Sequence, residues 1–154
     1  MKPKQQHAPL NILLADDDKD DRFFFAKALK KISIATNLKT VNDGDRLMEY
    51  LTKNSEHLPD ALFLDLNMPR KNGAECLEEI KSKKTLQQVP VIIYSTSLSD
   101  TIADVLYKKG AFYYLRKRDL DELAIILQHI FALMIENKFV RPPRDEFILN
   151  HVKV

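Results

Sequence analysis

Glycine is scarce in this chain: of 154 residues only Gly44, Gly73 and Gly110 are glycines. None belongs to a GxGxxG or GxxxxGK[ST] pattern, which argues against a dinucleotide site or a P-loop. The single cysteine, Cys76, excludes an internal disulfide and reads as a packed thiol on a helix face rather than a reactive one. Long apolar runs are missing as well. The most apolar stretch, 120–135, contains Asp121, Glu122, Gln128 and His129, so no membrane span is expected. The apolar segment after Lys2 and Lys4 is cut by Asn11 and Asp16, too soon for a signal peptide. Neither sign of charge dominates: 24 Lys and Arg against 22 Asp and Glu leave a net +2, which by itself gives no ground for a nucleic-acid or membrane partner. A reducing cytoplasm is the expected compartment. The four histidines do not cluster, and none is assigned to a metal.

The length suits one domain able to bury its own core. Its organising stretch is Leu62-Phe63-Leu64-Asp65-Leu66-Asn67-Met68-Pro69. Leu62 to Leu64 fits a strand buried on both faces, and Pro69, with no N–H for a ladder, prevents its continuation. Asp65 is thereby placed at the carboxyl end of a buried strand. Similar strands are expected at Ile12–Ala15, Leu38–Val41, Val91–Tyr94 and Ala111–Leu115. Helices are expected between them, the first over Asp20–Ile32 with Phe24, Ala28, Leu29 and Ile32 inward, the last from a cap at Asp119 to about residue 137. Five strands alternating with five helices predict an α/β fold, a doubly wound parallel sheet whose right-handed crossovers bring all strand ends to one edge.

That edge collects chemistry. The first strand delivers Asp16 and Asp17, the third Asp65, the fourth Ser95 and the fifth Lys117. Each has a plain explanation alone: a helix cap, a turn serine, a solvated lysine between two arginines. Together they resemble a working site. Crowded carboxylates repel unless a cation joins them, and an all-oxygen set without His or Cys suits magnesium. With such an ion and Lys117 neutralising the incoming oxygens, Asp65 could serve as a nucleophile toward a phosphoryl group, and the Ser95 hydroxyl could donate to a phosphoryl oxygen.

Over 10–137 the chain resembles the receiver domain of two-component response regulators. The resemblance is carried by Ile12–Asp18, Leu64–Pro69, Pro90–Thr96 and Gly110–Lys117. It implies the CheY-like, flavodoxin-like (βα)5 sheet of strand order 2-1-3-4-5. It also implies that Asp65 accepts a phosphoryl group from a histidine of a sensor kinase, hybrid kinase or histidine phosphotransfer protein. Asp17 and Asp65 would bind Mg2+ by side chain, Asn67 by its backbone carbonyl, and Asp16 through water. Ser95 and Lys117 would hold the phosphoryl oxygens, and Tyr114 would be the aromatic that swings inward as Ser95 turns. One departure stands out: Arg118 occupies the place of the family's proline after the lysine, so the bond is either trans, with Lys117 approaching differently, or a cis bond without proline. Residues 1–9 are expected to be loose and 138–154 to form a tail too short for a DNA-binding domain. A stand-alone receiver follows, similar to the small regulators that partner bacterial phytochromes and hybrid kinases.

The last helix is apolar on more than one face: Leu120, Leu123, Leu127, Ile130 and Met134 form one stripe, and Ile125, Ala132, Leu133 and Ile135 lie off it. This predicts a homodimer through the last two helices and the fifth strand, or a tail (Phe139, Phe147, Ile148, Leu149) folded back over that surface. Arg141-Pro142-Pro143-Arg144 should be extended. Two rival functions fit parts of the chain: a magnesium-dependent phosphohydrolase of the haloacid-dehalogenase type using the Asp16–Asp18 run, and a pseudo-receiver that is never phosphorylated.

Overall fold

A computed structural model describes residues 7–97 and 99–149. The outer parts of the expected loose N-terminus (1–6) and C-terminal tail (150–154) lie outside the described residues. The elements are β1 (Leu10–Ala15), α1 (Lys19–Lys30), β2 (Thr36–Val41), α2 (Gly44–Lys53), β3 (Ala61–Leu64), α3 (Gly73–Ser82), β4 (Val91–Ser95), α4 (Asp100–Lys108), β5 (Tyr113–Arg116) and α5 (Leu120–Ile135). A 3-10 turn (Arg144–Glu146) and a short β6 (Ile148–Leu149) follow. The strands form one parallel sheet in the order β2-β1-β3-β4-β5-β6. The expected 2-1-3-4-5 arrangement is present, extended by a sixth strand.

Strand residues alternate between two cores, as the pleat requires. Leu13, Leu62, Leu64, Val91, Ile93 and Tyr114 pack under α2, α3 and α4. Ile12, Leu14, Phe63, Ile92, Tyr94 and Leu115 pack under α1 and α5. The second core is centred on aromatic edge contacts, Phe25 to Phe63 at 5.0 Å and Phe25 to Tyr94 at 5.6 Å between ring centroids.

Helix starts are set by side-chain caps. Asp18 accepts from the N–H groups of Asp20 and Asp21, Asp43 from Arg46, Asn72 from Glu75 and Asp119 from Glu122. The expected inner face of α1 needs one correction: Phe25, Ala28 and Leu29 are buried, and Phe24 is only half-buried. Both spacings are helical, and the packing of Phe25 against Phe63 and Tyr94 decides between them. At the end of α4, Gly110 has φ +103°, the left-handed stop expected of it.

The segment expected as a tail outside the domain is part of the fold over residues 139–149. Phe147 is fully buried, and β6 pairs in parallel with β5 through Tyr114–Ile148 and Leu115–Leu149. Phe139 stacks on Phe112 at 5.5 Å. Arg141 to Pro143 are non-helical as expected, with Pro143 at φ −65°, ψ 161°, but Arg144, also expected to be extended, opens the 3-10 turn. The second apolar face of α5 is thus met largely from within: α5 also packs on α1, and Phe139 joins its core, leaving Ile125 exposed. Short apolar stretches after a proline pair carry little periodicity, which is why a sixth strand could not be placed from sequence.

Candidate functional site

The site residues are held by the hydrogen-bond ladder itself. At the carboxyl edge of the sheet, the Asp16 N–H donates to the Val41 carbonyl (3.1 Å), the Asp65 N–H to the Ala15 carbonyl (2.9 Å) and the Lys117 N–H to the Ser95 carbonyl (2.8 Å). Parallel pairing therefore ties each site residue to its neighbouring strand. The loop after Asp65 is pinned by the Gly73 N–H, which donates to the Leu66 carbonyl at 2.9 Å. A Cβ at Gly73 would lie 2.3 Å from the Asp65 carbonyl oxygen, so only glycine admits this approach of α3 to the site. Asp65 Oδ1 receives a long bond, 3.4 Å, from the Asn67 N–H.

Carboxylate oxygens of Asp16, Asp17 and Asp65 lie within 4.8 Å of one another. Asp16 and Asp65 are buried and Asp17 is exposed, an arrangement open to solvent on one side. The Lys117 ammonium stands 2.9 Å from Asp16, 2.9 Å from Asp21 and 3.8 Å from Asp65. One cation thus faces three carboxylates, with Asp17 beside two of them. That excess of negative charge, with an all-oxygen donor set, suits a hard divalent ion. The Ser95 hydroxyl is buried and has no hydrogen-bond partner among the described residues. A donor held free beside this edge is what an incoming oxyanion would use.

The electrostatics follow from burial. Burial raises the Asp65 carboxyl to about 7, aided by Asp16 and Asp17 and opposed by Lys117. Burial also works to lower the Lys117 ammonium, but hydrogen bonds to Asp16 and Asp21 outweigh it and hold its value above the usual lysine range. Burial pushes the Cys76 thiol up to about 11, in keeping with a packed and unreactive group.

All the predicted strand-end residues reach this one edge. Asn67 contributes its N–H to Asp65. Tyr114 is fully buried, its hydroxyl donating to the Ser97 carbonyl at 2.5 Å. The Lys117–Arg118 bond is trans, and Lys117 lies closer to Asp16 and Asp21 than to Asp65. Arg118, free of proline's role, donates to the Leu149 carbonyl at 3.1 Å. Sequence reasoning missed Asp21 as a Lys117 partner, Tyr94, whose ring lies 5.3 Å from the same ammonium, and Arg22, which donates to the Asp16 carbonyl at 2.8 Å. Helix α1 brings Asp21 and Arg22 over the edge, and no spacing in the sequence signals it.

Comparison with known proteins agrees with this geometry. The family model of the response regulator receiver domain matches residues 12–128. The chain is 32% identical over 137 residues to the response regulator Rcp1 of Synechocystis sp., covering 86% of this chain and 93% of Rcp1. The phosphorylated cyanobacterial phytochrome response regulator RcpA superposes with a TM-score of 0.75 at 32% identity, covering 84% of this chain and 96% of that one. The Mn2+-bound form of Rcp1 superposes with a TM-score of 0.72 at 31% identity, covering 88% of this chain and 100% of that one. Neither the hydrolase nor the pseudo-receiver alternative is favoured by these matches.

Proposed function

The chain belongs to the response regulator receiver domain family of two-component signalling, and from that premise we propose that Asp65 is its phosphoacceptor, served by Mg2+. The observation that carries the reading is the meeting of Asp16, Asp17 and Asp65 within 4.8 Å beside the Lys117 ammonium. Asp17 and Asp65 would hold the ion by side chain, with Asn67 through its carbonyl and Asp16 through water. The bound ion supplies neutralisation of the phosphoryl oxygens. An Asp65 oxygen attacks phosphorus in line, forming a new P–O bond. The P–N bond of the donor phosphohistidine breaks, and its electron pair returns to the imidazole, which takes a proton from water. Lys117 and the Ser95 hydroxyl bond the phosphoryl oxygens, replacing contacts that Asp16 and Asp21 now make with Lys117.

Receiver domains partner with histidine kinases. We assign the donor here to a sensor or hybrid kinase, or a histidine phosphotransfer protein, by analogy with the phytochrome regulators. Among the described residues no helix is long and apolar enough to cross a membrane, and a cytoplasmic setting is part of this proposal. Self-association through α4, β5 and α5 would use Ile102, Val105 and Ile125, which stay exposed. Sedimentation as a clean monomer, unchanged on phosphorylation, would remove it.

Incubation with acetyl phosphate and Mg2+ should add one phosphoryl group by intact mass. Asp65→Asn should abolish it, as should removal of Mg2+. Labelling that persists in Asp65→Asn would overturn the assignment.

A further inference from the structure

Residues 139–149 are fastened across α4 and β5 at several points. The Tyr107 hydroxyl donates to the Pro142 carbonyl (2.9 Å), and the Arg141 guanidinium lies 3.8 Å over the Tyr107 ring. The Arg144 guanidinium bonds Asp104 on α4 at 2.6 Å. Phe147 is buried edge-on against Tyr107 and Tyr114, at 5.2 Å and 6.3 Å between centroids. Beyond it, β6 is only two residues long. The segment is held by two aromatic side chains, Phe139 on Phe112 and Phe147 on Tyr107 and Tyr114, by side-chain bonds to backbone carbonyls and by a strand of only two residues, so it should open at a lower free energy than the central strands.

Two of its fastenings lie within two residues of groups that handle the phosphoryl in the proposed transfer. The first lies near Ser95. Two residues on, the Ser97 carbonyl accepts from the Tyr114 hydroxyl at 2.5 Å, and Tyr114 touches Phe147 by its ring and donates its N–H to the Phe147 carbonyl at 3.0 Å. The second lies beside Lys117, whose neighbour Arg118 donates to the Leu149 carbonyl at 3.1 Å.

We propose that residues 139–149 are a strap over the α4–β5 face that phosphorylation of Asp65 loosens, through Tyr114 on Phe147 and Arg118 on Leu149. The inference rests on Asp65 being the acceptor. A phosphoryl group draws the Ser95 hydroxyl and the Lys117 ammonium toward itself. Both anchors of the strap then shift from the positions for which Phe147 and Leu149 are docked. Release uncovers the outer edge of β5 and the aromatic seat formed by Tyr107 and Tyr114. Because coupling is reciprocal, whatever loosens the strap must favour the phosphorylated arrangement by the same factor.

Beryllium fluoride with Mg2+ serves as the phosphoryl mimic on the full chain. Its binding is followed by 19F NMR, and the strap by amide hydrogen exchange of Phe147, Ile148 and Leu149. The expected result is a bound 19F signal accompanied by exchange at these amides faster by roughly 5-fold or more. Arg144→Glu, which sets two carboxylates against each other, should bind beryllium fluoride tighter by a similar factor. Asp104→Arg combined with Arg144→Glu should return the affinity toward that of the parent. A bound signal with unchanged exchange, or an Arg144→Glu affinity equal to the parent's, would overturn the strap and leave the acceptor assignment standing. Absence of any bound signal would overturn the acceptor assignment and the strap with it.

Discussion

The Lys117 ammonium bonds the Asp21 carboxylate at 2.9 Å across 96 positions of chain. Asp21 thus shares with Asp16 a cation that the proposed phosphotransfer would use at Asp65. Replacing Asp21 by Asn leaves Asp16 and Asp65 as the only carboxylates on Lys117, and should raise the rate of labelling by acetyl phosphate by about 2- to 10-fold, one pair being worth on the order of 1 kcal/mol near a surface. A rate equal to or below the parent's would show that Asp21 positions Lys117 rather than competes for it.

Asp65 sets a pH dependence. Its folded value, about 7, lies above its ordinary 3.8, so the folded protein holds this proton more tightly than the unfolded chain. The stabilisation that follows is complete below 3.8 and lost as the pH rises through 7. Without Mg2+, urea midpoints should fall between about pH 4 and 7 more in the parent than in Asp65→Asn, by at most about 1.4 kcal/mol of stability for each pH unit in that window. The ion competes with the same proton, so Mg2+ affinity should weaken below about pH 7, which titration calorimetry at several pH values checks.

Gly73→Ala tests how tightly α3 closes on the site. The added methyl would meet the Asp65 carbonyl at 2.3 Å and the Leu66 Cα at 2.8 Å, both backbone. The loop must move, with an expected destabilisation of about 1–3 kcal/mol. Labelling of Asp65 should slow even under conditions where the protein remains folded by circular dichroism.

Adjacent phenylalanines on α1 should differ sharply. Phe25→Ala removes a fully buried ring from between Phe63 and Tyr94 and should cost about 3–5 kcal/mol in denaturant unfolding. Phe24→Ala, at a half-buried position, should cost well under half of that.

Much of the fold and of the site is legible in the residues alone, for identifiable reasons. Strands buried on both faces leave continuous apolar runs, so Leu62–Leu64 and Val91–Tyr94 could be placed, and the polar residue ending each run marked the sheet edge. Gly110 and Asp119 announced helix ends because turn and cap geometry is local. Local signals stopped short of α1, where Phe24 and Phe25 satisfy the same spacing, and of residues 139–149, whose strand is too brief to show a period.

The chain's order of apolar runs and polar ends determined the α/β architecture and which side chains arrive at the carboxyl edge of the sheet, since both follow from alternation and from the handedness of crossovers. Only the folded molecule decided how Lys117 divides itself among Asp16, Asp21 and Asp65, and that Phe147 seats against Tyr114. Those outcomes depend on distances between segments far apart in the chain, and such distances are set by packing, to which spacing along a sequence is blind.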